Sequence, residues 1–261
     1  MAFTVHAVMP GVWHIVDCMG VCMTLLEGEN AAMLVDTGYG IEDVADFMRH
    51  MTDLPLTVFL THNHHDHAMG ARCFPETYML EADMADWDIF TNDKMRRRVL
   101  TQAIGKNLTV DEKTFLAGEI PLPKVMKPGV IDLGGLTAEI IEAPGHTPGS
   151  AVVYVPERKL LLSGDDWNPC TWLFFPQALG LREYRGNMRG IQQLPFEKVL
   201  CPHREALYDR WMFDDFFNAL TDGNLRAAEP VNIAPYEQID TCQATLPHDQ
   251  VFVFDWAKSG L

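Results

Sequence analysis

Strand-like apolar patterning fills residues 3–36. Val12-Trp13-His14-Ile15-Val16 reads as one strand. Met23-Thr24-Leu25-Leu26 and Ala32-Met33-Leu34-Val35 read as a hairpin turning at Glu27-Gly28-Glu29-Asn30. After Asp36-Thr37-Gly38 the period lengthens, and 41–51 has helical spacing. The apolar run 54–60 predicts a buried strand, and a helix is expected to begin near Asp66. Residues 81–114 break this rhythm. They are polar and helix-compatible, with Trp87, Ile89 and Phe90 as apolar anchors. Pro121, Pro123 and Pro128 then mark an irregular connection. The segment 81–128 reads as an insertion, either a lid or substrate wall over a site or a plain helical packing layer. Strands return at 136–141, 151–155 and 159–162, the last two joined by Pro156-Glu157-Arg158. A helix at 182–193, a short strand at 198–201 and a helix at 208–220 follow; Phe213, Phe216, Phe217 and Leu220 form one apolar face expected in the core. Val251-Phe252-Val253-Phe254 is expected as an edge strand. This alternation is that of a layered α/β protein, and two similar halves facing each other would fit it.

The 261 residues suffice for one large domain or two small ones, and a hydrophobic share of 48% allows a full core. Twenty Lys and Arg stand against 36 Asp and Glu, a net charge of −16. That field repels phosphate backbones, so no nucleic-acid partner is expected. Lys94, Arg96, Arg97 and Arg98 form a local exception, readable as a solvated helix face or as a contact to an anionic substrate group. The six cysteines form no CxxC pair, and Cys18 and Cys22 read as core residues rather than ligands. Met1-Ala2-Phe3-Thr4-Val5-His6 lacks a basic segment followed by an apolar one, and no run approaches a membrane span. The reduced cytoplasm is therefore the default compartment, with no membrane partner.

The chemistry is concentrated in Thr61-His62-Asn63-His64-His65-Asp66-His67, which follows the 54–60 strand. Open α/β folds place ligands at such strand ends. Imidazole is the commonest metal ligand, and carboxylate among imidazoles suits zinc or a similar divalent ion. Three more candidates each follow a strand-like segment: His146 in Ala143-Pro144-Gly145-His146-Thr147-Pro148-Gly149-Ser150, Asp165 in Ser163-Gly164-Asp165, and His203 in Cys201-Pro202-His203. Singly, each fits a turn or capped loop; the repetition points to one site.

His62-x-His64-x-Asp66-His67, followed by His146, Asp165 and His203, and preceded by Asp36 in Asp-Thr-Gly, resembles the metallo-β-lactamase superfamily of metal-dependent hydrolases. The resemblance covers about residues 10–205. It implies a four-layer αββα sandwich, here a single domain over 1–261, with metals at one edge of two sheets. It also implies that His62, His64 and His146 hold one ion, that Asp66, His67 and His203 hold a second, and that Asp165 bridges them. Asp36 would be structural, and His65 matches no ligand position.

Such a ligand set suits two divalent ions, expected to be zinc, with Fe2+ or Mn2+ as alternatives. Water between two ions is a nucleophile at neutral pH, and Asp66 could orient it or take its proton. Asp165 resembles the glyoxalase II, lactonase and phosphodiesterase branches, and the Pro-Gly-His-Thr-Pro-Gly-Ser string the thioesterase and lactonase branches, so the expected reaction is hydrolysis of a small ester, lactone or thioester. Antibiotic hydrolysis is not expected, because true β-lactamases resemble one another in a different bridging residue. Few bases follow His203 (Arg204, Arg210, Arg226 and Lys258), against a glutathione thioester. Trp167, Trp172, Phe174 and Phe175 could line an apolar pocket or simply pack under a loop. The alternatives are a phosphodiesterase of the same superfamily, a persulfide dioxygenase using one iron on His62, His146 and Asp165, and a scaffold with an idle site.

Overall fold

The structure, a computed structural model, describes residues 3–261; Met1 and Ala2, the start of the stretch weighed above as a leader, lie outside the described residues. Thr4–Met9, Val12–Val16, Cys22–Glu27 and Ala32–Val35 pair antiparallel, each with the next. Leu56–Phe59, Tyr78–Met79 and Lys124–Val125 then add in parallel, giving a seven-stranded sheet in chain order. A parallel neighbour requires a crossover, and helix Val44–Met51 supplies the first one. Asp43 caps this helix by accepting from the Asp46 amide, while Val44, Ala45 and Met48 bury its inner face.

The second sheet runs Tyr208–Asp209, Lys198–Leu200, Leu160–Leu162, Ala151–Val155, Thr137–Glu142 and Gly129–Asp132 in spatial order. Its one parallel pair, Leu160–Leu162 with Lys198–Leu200, is crossed by helix Leu181–Ile191. Along Ala151–Val155 the side chains alternate between two cores. Ala151, Val153 and Val155 join Leu26, Met33, Val35 and Phe59 of the first sheet. Val152 and Tyr154 face Leu181, Tyr184, Met188, Phe213 and Phe216 of the outer helices. On the far side, Ile15, Leu25 and Leu34 pack on Val44 and Met48. The layers are thus helix, sheet, sheet, helix, the αββα order expected.

Two expectations change. A third sheet orders Cys170–Leu173, Gln250–Asp255, Thr241–Leu246 and Glu229–Pro230. Gln250–Asp255 is paired on both sides, so the 251–254 strand is interior rather than an edge. Phe252, Val253 and Phe254 are all buried, as a strand covered on both faces requires. The segment 81–128 is also more integrated than an irregular connection. It forms helices Trp87–Thr91, Asp93–Gly105 and Glu112–Phe115, and its strand Lys124–Val125 completes the first sheet. Trp87, Val99, Leu100, Phe115 and Ile120 share a core with Leu60, Met69 and Met79. Phe90 is buried as expected, whereas Ile89 is 56% exposed and anchors nothing.

Phe252 lies against Tyr184, Phe216 and Phe254, with ring centroids 5.9, 5.8 and 5.4 Å away. Phe252→Ala is expected to cost about 3–5 kcal/mol in chemical denaturation. Val130→Ala, at a side chain 67% exposed, is expected to stay within about 0.5 kcal/mol of the parent. Equal small effects would mean that the third sheet is only loosely docked.

Candidate metal centre

The loops after Leu56–Phe59, Thr137–Glu142, Leu160–Leu162 and Lys198–Leu200 deliver every ligand candidate to one place. Ligand atoms of His62, His64, His146 and Asp165 lie within 4.8 Å of one another, as do those of Asp66, His67 and His203. Asp165 stands between the sets. Its Oδ2 is 3.9 Å from His62 Nε2 and 3.4 Å from His146 Nε2, and its Oδ1 is 3.4 Å from His67 Nε2 and 3.0 Å from His203 Nε2. Asp66 Oδ2 is 3.7 Å from His67 Nε2 and 3.8 Å from His203 Nε2. Gly164, at φ +51°, makes the turn that carries Asp165 out of its strand.

Each imidazole is oriented from behind. His67 Nδ1–H donates to Asp36 Oδ2 at 3.0 Å, and Thr37 donates to the His67 carbonyl through both its amide and its hydroxyl. His62 Nδ1 lies 3.0 Å from Thr61 Oγ1, which donates to Asp36. Asp36 therefore serves two ligands, and it does so from a left-handed backbone, φ 65°, that Asp tolerates better than most residues. His146 Nδ1–H donates to the Trp172 carbonyl at 2.7 Å, which leaves Nε2 as the ligand atom. His64 places Nδ1 2.8 Å from His146 Nε2 and Nε2 2.6 Å from the Gln177 amide group. That amide presents either N–H or C=O to His64, so Gln177 supports both ring tautomers.

The donors fit divalent cations. Three buried atoms at the centre, His62 Nε2, His67 Nε2 and Asp165 Oδ1, have no hydrogen-bond partner among the described residues. Such atoms are costly to bury unless something satisfies them. Burial pushes Asp66 up, but the imidazoles of His67, His65 and His203 outweigh it and hold the carboxyl at about 2. Burial likewise opposes ionisation of Asp165, yet His203 and His67 hold it well below the usual carboxylate range. Burial opposes the charging of His67, but Asp165, Asp66 and Asp36 raise it well above the usual imidazole range. Against the same burial, Asp165 raises His203. Burial keeps His62, His64 and His146 neutral, the form that binds metal. The centre thus favours positive charge beside its carboxylates, which two cations would supply in place of protons.

Three positioning residues have no sequence motif. Asp83, nearly fully buried, accepts from the Asn63 amide at 3.1 Å, the Thr147 hydroxyl at 2.7 Å and the Gly149 amide at 2.6 Å. It ties the His62–His67 loop to the His146 loop from the short helical turn Glu81–Asp86. Gly149 is needed there, since a Cβ would lie 2.7 Å from Asp83. Gln177 is the second. Asp166 is the third: its Oδ1 accepts from the His146 amide at 3.1 Å, and burial raises its carboxyl well above the usual range.

A cavity of about 480 Å³ opens over the cluster, lined by His64, Asp66, His146, Asp165 and His203 below and by Phe90, Trp172, Phe175 and Tyr236 at the side. His65 also lines it, beside Tyr39. The four aromatics expected together divide. Trp172 and Phe175 face the cavity, whereas Trp167 and Phe174 are fully buried. Trp167 is held in the core by packing against Tyr208 and Phe213, with ring centroids 5.5 and 5.6 Å away. Tyr236 lies beyond the region covered by the family resemblance.

Two facing sheets with a His/Asp cluster at their shared edge define a metal-binding α/β sandwich. Residues 16–166, more than half of the chain, match the sequence model of the metallo-beta-lactamase superfamily, and the chain belongs to that superfamily. It is 26% identical over 168 residues to an acyl-coenzyme A thioesterase, MBLAC2, of Gallus gallus; the match covers 57% of this chain and 59%, less than two thirds, of that protein. The Homo sapiens MBLAC2 is 25% identical over 205 residues, 69% of this chain and 71% of that one. A metallo-beta-lactamase from Pontibacter korlensis superposes with a TM-score of 0.58 at 18% identity, over 85% of this chain and all of that one, a likeness of fold.

Elemental analysis of protein purified without chelators is expected to give about two divalent ions per chain. His64→Ala and His203→Ala should each keep one ion and lose a different one, because they belong to different sets. Loss of both ions from both variants would mean that the sets are not separable. Asp165→Asn is expected to lower metal content and cut turnover by about 100-fold or more. Asp166→Asn keeps the oxygen that accepts from His146 and should retain both ions. Metal stripped by the Asp166 change alone would reverse the assignment.

Proposed function

We propose that the chain is a dinuclear, zinc-dependent hydrolase of a small ester, lactone or thioester, with acyl thioesters as the preferred class. The observation that carries this reading is the joining of a seven-residue His/Asp cluster to an aromatic-walled cavity. The thioesterase relatives support the choice of bond, although they share only about a quarter of their residues with this chain.

When bound, two divalent cations supply Lewis acidity and lower the pKa of water into the neutral range. His62, His64 and His146 would hold one, Asp66, His67 and His203 the other, with Asp165 shared. Asp66 stays anionic at neutral pH, so it can accept a hydrogen bond from attacking water and orient it. A carboxyl held so low is a weak base, which makes orientation its larger contribution. Phe90, Trp172, Phe175 and Tyr236 bind an apolar acyl group and exclude water beside it. Burial keeps the Tyr39 phenol protonated, a neutral donor available to a substrate carbonyl. A departing thiolate has an ordinary pKa of ~8.5 and leaves with little protonation, consistent with a cluster that offers no neutral carboxylic acid to the cavity.

Zinc-loaded protein is expected to hydrolyse benzoyl and octanoyl thioesters of N-acetylcysteamine, followed by thiol release. Chelation should reduce the rate by about 100-fold, and zinc should restore it. Preferential turnover of bis-p-nitrophenyl phosphate would move the chain to the phosphodiesterases. One stoichiometric iron with negligible zinc, and oxygen uptake on a glutathione persulfide, would make it a dioxygenase.

A further inference from the structure

We infer that Arg98 and Arg204 form an anion-binding rim on the active-site cavity, so that the substrate carries a carboxylate or phosphate on the part leading out of it. This inference rests on the hydrolase reading above and narrows its substrate class.

Arg98 and Arg204 line the same cavity although they are far apart in the chain. Arg98 comes from helix Asp93–Gly105, and Arg204 directly follows His203. Both are exposed, and among the described residues neither has a carboxylate within ion-pair distance. The neighbouring acids are engaged elsewhere: Asp93 pairs with Arg97 at 2.8 Å, and Glu205 with His6 at 2.8 Å. The other bases of the 94–98 run behave differently. Arg96 is buried and donates to the Gly118 carbonyl, and Arg97 lies along the solvent face. Arg98 alone of this run lines the cavity, with Gln102 one turn further along the same helix. Arg204 is held in place from behind, because His14 Nε2 lies 3.0 Å from its carbonyl and its own Nη1 donates to the His203 carbonyl at 2.8 Å.

Charge makes this placement meaningful. A chain of net charge −16 repels an anionic substrate at long range, and Asp66 and Asp165 at the cavity floor add to that. Cations bound by the cluster would offset the floor. Two guanidinium groups at the wall would offset the rest and offer a planar fork to an oxyanion. The aromatics Phe90, Trp172, Phe175 and Tyr236 take the apolar end. The cavity lining therefore offers aromatic rings to an acyl chain and basic side chains to a charge.

The test uses matched benzoyl thioesters that differ only in charge: 3-mercaptopropionate against 3-mercaptopropionamide, and 4′-phosphopantetheine against pantetheine. The parent protein is expected to prefer at least one anionic member by about tenfold in kcat/KM, mainly through KM. Whether the carboxylate or the phosphate pair responds identifies the anion. Arg98→Gln and Arg204→Gln should each reduce the preference severalfold, while Arg98→Lys should restore part of it. The ratio within a pair is the readout, so a general loss of activity does not imitate the result. No preference in either pair, or a preference unchanged in both Gln variants, would overturn the inference. If no thioester is turned over, the choice of acyl thioesters as the preferred class fails instead. Calorimetric binding of S-benzyl-3-mercaptopropionate against its amide, and of S-benzyl-4′-phosphopantetheine against S-benzylpantetheine, then decides the rim separately, with equal affinity within both pairs counting against it.

Discussion

Buried carboxylates hold this site together by accepting from the backbone and side chains of loops that would otherwise be independent. Asp36 joins the end of one strand to Thr61 and His67. Asp83 joins the His62–His67 loop to the His146 loop, and Asp166 holds the His146 amide. Removing a carboxylate from water costs several kcal/mol unless donors replace the water. Asp36 and Asp83 have such donors, and the donors belong to the loops that carry the imidazoles. Ligand geometry is consequently coupled to the packing of three separate segments.

Electrostatics then divides the buried acids by role. Asp36 and Asp83 face amides, hydroxyls and an imidazole that orient ligands, whereas Asp165 and Asp66 face the ring nitrogens of the cluster itself. The last two are held as anions, and His67 and His203 are drawn towards the charged form beside them. Asp166, one residue from Asp165, is pushed the other way by burial and by its charged neighbours. Adjacent residues leaving a strand point to different surroundings, and the surroundings rather than the residue type set the charge.

Segment 81–128 shows that a cavity wall and a packing layer need not be alternatives. Its Trp87, Val99, Leu100 and Phe115 are core, while Phe90 touches the His64 ring at 4.5 Å and Arg98 lines the cavity. A helix packed on one face can present its other face to a substrate at no cost to stability.

Several features were legible in the order of residues. The strand and hairpin pattern of 12–35, the crossover helix, and the strand ends before His62, His146, Asp165 and His203 are local, because period and turn chemistry are properties of adjacent residues. The ligand candidates were legible because the chemistry needs those residue types at strand ends. Tertiary structure alone decided the rest. The strand 251–254 reads the same at an edge or in the interior, and only its pairing with 170–173 and 241–246 places it inside. Trp167 and Trp172 are equally apolar in sequence, and packing sends one to the core and the other to the cavity. Asp83, Gln177, Tyr236 and Arg204 carry no motif, and the basic run 94–98 does not itself say that Arg98 is the member at the cavity. Their importance comes from distance in space to groups far away in the chain, and long-range proximity is not written in local pattern.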